Sequence, residues 1–383
     1  MRIGFLFNHD QLHQVAHSLP IALRLAEMGT SAEVILVVTN ERLRVEVERV
    51  AGDAIGRTLT LVSLDLTRRR SRLAERLAGG LLPARKWFVL EDNLDFFRSL
   101  DVLVVTEKTS LALKRRFGLD RLKIIHTRHG AGDRAIGFDR ASAGFDLVLV
   151  SGPKIGERLV AEAGVDPARI AQVGYPKFDL HRDTMADIPR DRRIVIYNPH
   201  PSPHLSSWFR FGPGIMDWFV AHPEYRLIFA PHVMLFERPL AISIDRLRVA
   251  RPGPIEQRWR DADNILIDTG SRASTTMAYT NAADIYLGDA SSQVYEFLFR
   301  PRPCVFIDAH HTVWRGSPDY AHWQAGPVID DITHLGYALR IAKDRFDQDY
   351  RSVQERLFAH SFDLTDEPSA ARAARAIAAF AAA

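Results

Sequence analysis

ADIYLGDASSQVYEFLFRPRPCVFID, residues 283–308, holds in one run the unit from which the fold is built. Residues 285–288 are a short apolar run that predicts a buried strand, 289–292 a polar turn, 293–299 a helix, and 304–307 the next parallel strand. The turn therefore stands at a strand's carboxyl end and a helix's amino end. Open α/β sheets bind ligands there, and unpaired backbone N–H groups favour phosphate. Ser291 and Ser292 supply hydroxyls that either cap the helix or bond a phosphate oxygen, and both readings stay open on these residues alone.

The same alternation runs outward in both directions. In the second half, strands are also predicted over 194–197, 227–230 and 265–267; in the first half, over 2–7, 32–38, 58–63, 102–106, 123–126, 147–150 and 170–173, with helical patterns between most of them. Repeated βα units imply mostly parallel, doubly wound sheets. DTMADIPRDRR, residues 183–193, is polar and lacks apolar periodicity, as suits a linker. The expected fold is α/β, with two tandem Rossmann-like domains, 1–182 and 194–367, facing a cleft. The alanine-rich end, 368–383, is expected to be a helix able to pack back on the first domain.

Length and composition bound the rest. A chain of 383 residues, 46% hydrophobic and 25% charged, suits two globular domains. No run approaches the roughly 18 apolar residues of a membrane-spanning helix, and MRIGFLFNHD reads as a strand rather than a secretory signal. A cytoplasmic protein is expected, with the inner face of the cell membrane as a possible station. The one cysteine, Cys304, cannot form an internal disulfide, and cysteine-based metal clusters are excluded by the count.

Residues 1–190 carry 29 Lys+Arg against 24 Asp+Glu and the remainder 21 against 23, so the basic excess belongs to the first half. It peaks at Arg68, Arg69, Arg70, Arg72, Arg76, Arg85 and Lys86, among which Leu66, Leu73, Leu77 and Leu81 share one helical face. Two readings of 66–88 remain: a basic amphipathic helix lying on an anionic bilayer, or a surface helix packed on its own domain. No nucleic-acid motif is present and the acids are dispersed, so no nucleic-acid partner is expected.

Polar clusters recur after the predicted strands. Asn8, His9 and Asp10 follow the first, with His13 and His17 just beyond. The last two are four apart and could bind a metal, but no third ligand joins them in a motif, so no metal is expected and the loop reads as a cleft wall. Arg128, His129 and Gly130 follow the strand at 123–126. Gly130, Ala131 and Gly132 allow a tight turn that leaves His129 at the strand's end, as a general base or as a structural histidine. In the second half, Asn198, His200, His232, Thr269, Ser271 and Asp289 occupy the equivalent places, with Pro231 stiffening the turn before His232.

These residues resemble the CDP-glycerol glycerophosphotransferase family, the teichoic acid primases and polymerases of GT-B architecture. The likeness rests on the His129-Gly130 loop, on the stretch GYPKFD (174–179), and on the pattern Ala-Asp-x-x-x-x-Asp-x-Ser-Ser (283–292), and it covers about 122–308. It implies that His129 is the base on the acceptor hydroxyl. It further implies that His232 helps hold the donor's phosphates, although here proline precedes that histidine and Val233 follows it, and that Asp289, Ser291 and Ser292 receive the donor. Tyr175, Pro176 and Lys177 match the family's Gly-Tyr-Pro segment. After His129-Gly130 the family's Thr-Pro-x-Lys is replaced by Ala131-Gly132-Asp133-Arg134.

The implied reaction is transfer of a glycerophosphate, polyol-phosphate or sugar unit from a nucleotide-diphospho donor such as CDP-glycerol to a lipid-linked or polymer acceptor, with no cofactor. A base for the hydroxyl and positive charge for the pyrophosphate are its requirements, and Arg128 is a candidate for the latter. Two rivals share the expected architecture: a UDP-N-acetylglucosamine 2-epimerase-like enzyme, which would lean on first-domain carboxylates such as Glu107 and Asp133, and a binding protein without turnover.

Overall fold

The computed structural model describes residues 1–9, 11–78, 84–128, 130–243 and 246–383. Its contacts divide the chain into two units: Met1–His129, Phe138–Leu180 and His360–Ala383 form the first, and Gly130–Gly137 with His181–Ala359 the second. The sequence placed a boundary near 182 and the returning helix at 368. The contacts assign 130–137 to the second unit instead, and return the chain to the first from residue 360.

The first unit is built on seven parallel strands: β1 (Arg2–Phe7), β2 (Glu33–Val38), β3 (Leu59–Ser63), β4 (Val102–Val105), β5 (Lys123–Thr127), β6 (Leu147–Val150) and β7 (Ile170–Gln172). Their order is β3-β2-β1-β4-β5-β6-β7, so the sheet reverses winding between β1 and β4. The central strands are buried throughout, which is why they read as unbroken apolar runs such as VLVV and LVLV rather than as alternation.

The alanine-rich end forms the helix Ser369–Ala382. Ala370, Ala373, Ala374 and Ile377, spaced three, one and three apart, fall on one face and join the core that also holds Leu19 and Ala22 of the helix Val15–Glu27. Small side chains let the two helices approach closely. Its first turn is capped from afar: the Asp179 carboxylate accepts from the N–H groups of Ser369 (3.2 Å) and Ala370 (2.7 Å).

In 66–88 the structure favours the packed reading over the membrane one. Leu66 is buried, and Arg68 and Arg70 pair with Glu91 while Arg85 pairs with Asp65 and Glu75. Leu73 and Leu77 are exposed; Leu81 and Leu82 lie outside the described residues. Among the described residues no helix is long and apolar enough to cross a membrane.

The second unit repeats the plan with β8 (Arg193–Asn198), β9 (Tyr225–Phe229), β12 (Ile265–Ile267), β13 (Ile285–Gly288), β14 (Cys304–Ile307) and β15 (Val328–Ile329), all parallel, in the order β12-β9-β8-β13-β14-β15. An antiparallel hairpin, β10 (Ala241–Ser243) with β11 (Arg248–Ala250), projects between β9 and β12 in sequence. Neither the hairpin nor β15 was predicted: the hairpin is three residues a side with little alternation, and β15 is two residues long. The helix after β13 is Gln293–Phe297, five residues rather than the seven expected. The polar stretch at 183–193 is not loose, since the Asn281 amide donates to the carbonyls of Arg182 (3.0 Å) and Thr184 (2.7 Å), and Ala186 N–H to Ala278 O (3.1 Å).

Asp179→Ala should lower stability by about 1 kcal/mol, since it removes both remote cap bonds from the last helix. Denaturant unfolding of the variant against the parent measures this directly.

Candidate functional site

In the second unit, β13 pairs with β8 so that Gly288 stands opposite Asn198. This register puts Asp289 beside the turn that leaves β8. The Asp289 carboxylate is fully buried and accepts four hydrogen bonds: from His200 N–H (2.9 Å), Ala290 N–H (2.7 Å), Ser207 N–H (2.6 Å) and the Ser207 hydroxyl (2.8 Å). Tyr197 O–H reaches the same hydroxyl at 2.9 Å. Desolvation raises the Asp289 pKa to about 6, against the opposing pull of these donors. Asp289, expected from the sequence as a donor-binding residue, holds the 199–207 loop through these bonds.

Its carbonyl oxygen is engaged as well, accepting from His322 Nε2 (3.0 Å) and Trp323 Nε1 (3.1 Å). His322 then turns its other nitrogen to Asp133: Nδ1 lies 2.8 Å from Oδ2, and the His322 N–H donates to that oxygen at 3.1 Å. Tyr295 O–H stands 2.7 and 2.8 Å from the two Asp133 oxygens. Each ring nitrogen of His322 thus faces an oxygen, Asp133 Oδ2 on one side and the Asp289 carbonyl on the other. The result is a buried, hydrogen-bonded Asp133–His322 pair with a tyrosine on it.

This pair ties the segment 130–137 into the second unit. Gly130 is left-handed (φ +82°), and a side chain at Gly132 would press on Ser292, its Cβ falling 3.0 Å from that of Ser292. Small residues are therefore required where the segment passes the β13 turn.

One residue further, Arg134 Nη1 lies 3.0 Å from His200 Nε2, while His200 Nδ1 accepts from Ser202 N–H at 3.0 Å. Both nitrogens of His200 face donors, so a proton on either would meet another N–H. Burial, then Arg134, His232 and His204, hold its pKa well below the usual 6.5. The His232 ring, with its centroid 6.2 Å away, is pushed down to about 4 by desolvation, and its Nδ1 accepts from Met234 N–H (3.3 Å). One arginine and two neutral imidazoles therefore gather at the carboxyl ends of β8 and β9. An anion entering there would meet a fixed cation and two rings able to take up protons.

The other expected donor residues have structural occupations. The buried Asn198 amide donates to Ala230 O (2.6 Å), and its oxygen accepts from Tyr286 O–H (3.4 Å). Ser271 caps the turn Arg272–Ser274 and bonds Asp268, with Thr269 half-buried beside it. Ser291 is buried and accepts from Gln293 N–H (3.3 Å), a cap bond, whereas Ser292 is exposed. Ser292 is the N-cap position of the helix Gln293–Phe297 and makes no side-chain cap bond, and it is exposed.

In the first unit, Asn8 is buried, bonding Lys86 O (3.3 Å) and accepting from Thr39 O–H (3.0 Å). His9 is buried edge-on to Phe7, and His13 lies on the short turn Leu12–Gln14. His17 is buried edge-on to Tyr175. No group of three or more metal-ligating side chains occurs among the described residues. Lys177 is buried in the first turn of the helix Pro176–His181. Arg128 lies over the Phe138 ring (4.7 Å), which Arg158 also covers (4.1 Å); burial and the second cation bring the Arg128 pKa down to about 10. The proposed base, His129, lies outside the described residues.

Arg134, Tyr295 and His322 were not singled out as site residues from the sequence; His200 was read only as one of the strand-end polar residues and Asp133 only as a carboxylate of the epimerase reading. His200 and Asp133 carried a signal, their place after a strand or a turn. Tyr295 and His322, separated from Asp133 by 162 and 189 residues, carried none.

Two doubly wound parallel sheets in this order define a GT-B fold. Matching solved structures include a variant of the wall teichoic acid polymerase TagF (TM-score 0.58, 11% identity, 100% of this chain and 88% of that one). UDP-GlcNAc 2-epimerase from Neisseria meningitidis bound to UDP-GlcNAc also matches (TM-score 0.56, 13%, 99% of each chain), as does the glycotransferase of kitacinnamycin (0.55, 15%, 99% and 98%). No protein-family profile matches the chain. No curated protein matches it either.

Asp133→Ala should destabilise the protein by about 3 kcal/mol, because it removes the one buried carboxylate that the Tyr295 hydroxyl, the His322 N–H and the His322 ring all face. Tyr295→Phe, which removes one neutral donor, should cost only about 1 kcal/mol. Denaturant unfolding of the two variants side by side reads that ratio.

The buried histidines set a pH dependence. His232 stays neutral in the fold down to about 4, so the unfolded chain takes up its proton first and stability falls as pH drops from 6.5 towards 4. Asp289 acts in the opposite sense, its contribution being lost as pH rises from 3.8 through about 6. His232→Asn should therefore lose less stability than the parent between pH 7 and 4, by on the order of 2 kcal/mol for a partly screened ring. Thermal unfolding across that range provides the check.

Proposed function

We propose that this chain is a transferase that moves a glycerophosphate, or a related polyol-phosphate or sugar unit, from a nucleotide-diphospho donor to an acceptor hydroxyl in polymer synthesis. The observation carrying the reading is the gathering of Arg134, His200 and His232 at the strand ends of the second unit, with the exposed Ser292 on the turn after β13. The fold is shared with TagF; of the sequence motifs resembling the glycerophosphotransferases, residues 283–292 fall on this same unit, while 174–179 fall on the first.

In this reading the pyrophosphate takes the charge of Arg134 and of rings that protonate as it binds. The acceptor hydroxyl loses its proton to His129, attacks the β-phosphorus, and CMP departs as a phosphodiester forms; in a sugar-transferring variant the attack falls on the anomeric carbon. Proton transfer to a positioned base typically supplies ~10²–10⁴-fold, and stabilisation of the leaving phosphates is commonly the larger share. No cofactor enters the reaction. A lipid-linked or polymeric acceptor suits a transferase of cell-envelope synthesis.

The epimerase reading has the same fold in its favour. It needs carboxylates free to move a sugar proton, and the two at hand are committed: Glu107 is bonded to Lys86 (2.8 and 2.9 Å), and Asp133 to Tyr295 and His322.

Incubation with CDP-glycerol, CDP-ribitol and UDP- or GDP-sugars separates the readings. Nucleotide monophosphate release marks the phosphotransferase, nucleotide diphosphate with a transferred sugar the glycosyltransferase, free UDP with an epimerised sugar the epimerase, and binding without product a scaffold. His129→Ala should abolish turnover while leaving donor affinity within a few-fold of the parent. Arg134→Gln should weaken the nucleotide diphosphate about 10- to 100-fold while leaving the bare nucleoside unaffected. Near-normal turnover of the first variant would remove His129 from the reaction.

A further inference from the structure

His322 stands where two lines of contact meet. On one side its Nδ1 lies 2.8 Å from Asp133 Oδ2, and Asp133 is joined by the peptide bond to Arg134. On the other side its Nε2 lies 3.0 Å from the carbonyl oxygen of Asp289, whose carboxylate accepts from His200 N–H at 2.9 Å. The two lines meet again where Arg134 Nη1 approaches His200 Nε2 at 3.0 Å. The result is a closed circuit, His322–Asp133–Arg134–His200–Asp289–His322, with every member in the second unit.

Packing fixes the imidazole in that circuit. His322 is 2% exposed, and the rings of Tyr295, Phe306 and Trp323 meet it at 62°, 76° and 77° with centroids 6.2, 5.6 and 6.3 Å away. These are the edge-to-face contacts that aromatic rings prefer. Because Tyr295 also bonds both oxygens of Asp133, one side chain braces the imidazole and its partner together.

One link of the circuit is left incomplete by the protein. A neutral imidazole has one N–H and one lone pair in its plane, yet His200 meets a donor at each nitrogen, Arg134 Nη1 at Nε2 and Ser202 N–H at Nδ1. The ring can accept from only one of them. An anionic oxygen beside Arg134 and His200 would take the bond that the ring cannot, whereas the other contacts of the circuit each end on an oxygen already.

We propose that His322, braced by Tyr295, is a positioning residue for pyrophosphate binding: through Asp133 it fixes Arg134 beside His200 so that both face one phosphate oxygen. Buried as it is, His322 touches no ligand itself. This role rests on the transferase reading, in which the anion is the donor's pyrophosphate.

Two substitutions separate the arms of the circuit. His322→Asn places an amide where Nδ1 stands and keeps the Asp133 side. His322→Gln places one where Nε2 stands and keeps only the Asp289 side, which Trp323 Nε1 already serves at 3.1 Å. Calorimetric titration with inorganic pyrophosphate, run below the thermal transition of each variant, should find His322→Asn within about threefold of the parent and His322→Gln about 10-fold weaker. In an Arg134→Gln background His322→Gln should weaken binding no further, because the group it positions is gone. Proton–nitrogen NMR of the histidine rings reads the placement without a ligand. Burial first, then Arg134, His232 and His204, hold the His200 ring below its usual pKa, so releasing Arg134 should let that ring protonate at a higher pH in His322→Gln but not in His322→Asn. A merely structural role would lower stability and leave both readouts at parental values. Parental pyrophosphate affinity and parental His200 titration in His322→Gln overturn the proposal, as does an equal further loss in the Arg134→Gln background. Nucleotide release from a donor is scored separately: a parent that releases nucleotide while His322→Gln matches it loses only the positioning role, whereas a parent that neither binds pyrophosphate nor releases nucleotide loses the transferase reading and this role with it.

Discussion

A buried carboxylate with a histidine and a tyrosine on it decides how the second unit is assembled. Asp133 belongs to eight residues that lie, in sequence, between two parts of the first unit, yet its bonds to His322 and Tyr295 draw those residues into the second. Removing a carboxylate from water is costly unless its lone pairs find donors. Here they do: Tyr295 and the His322 N–H complete the carboxylate, and the Asp289 carbonyl completes the imidazole. The network fixes one arrangement of the segment, because any slip would leave buried polar groups without partners.

The chemistry of the site follows from that arrangement. Once Asp133 is anchored, Arg134 is delivered to His200, and Asp289 holds the His200 backbone through its carboxylate while accepting from His322 through its carbonyl. A single residue at the end of β13 therefore joins the loop after β8 to the segment around Asp133.

The division of labour among the polar residues also explains why strand ends mislead. Asn198, Asp289, Ser271 and Ser291 sit where ligand-binding residues of open α/β sheets sit, and each is engaged in holding a turn. A turn at the end of a buried strand has backbone groups to satisfy whether or not a ligand arrives. Polar residues are needed there on both accounts, and residue type cannot separate the two.

Much of the fold was legible in the chain. Runs such as FLF, VILVV and LVLV predicted the strands of both sheets, because a strand buried on both faces must be apolar throughout, and the alanine face at 370–377 predicted a closely packed helix. Gly130 and Gly132 were legible as a tight turn, whereas the close approach of Gly132 to Ser292 was not. The Asp133–His322–Tyr295 network was not. Its members stand far apart along the chain and become neighbours only when β13, the turn after β14 and the 130–137 segment fold together, and burial, not residue identity, gives that carboxylate and that imidazole their roles. Local pattern determines which stretches become strands and helices, since it acts through near neighbours; which polar groups meet, and which are left to face a ligand, is decided by the packing that removes the others from water.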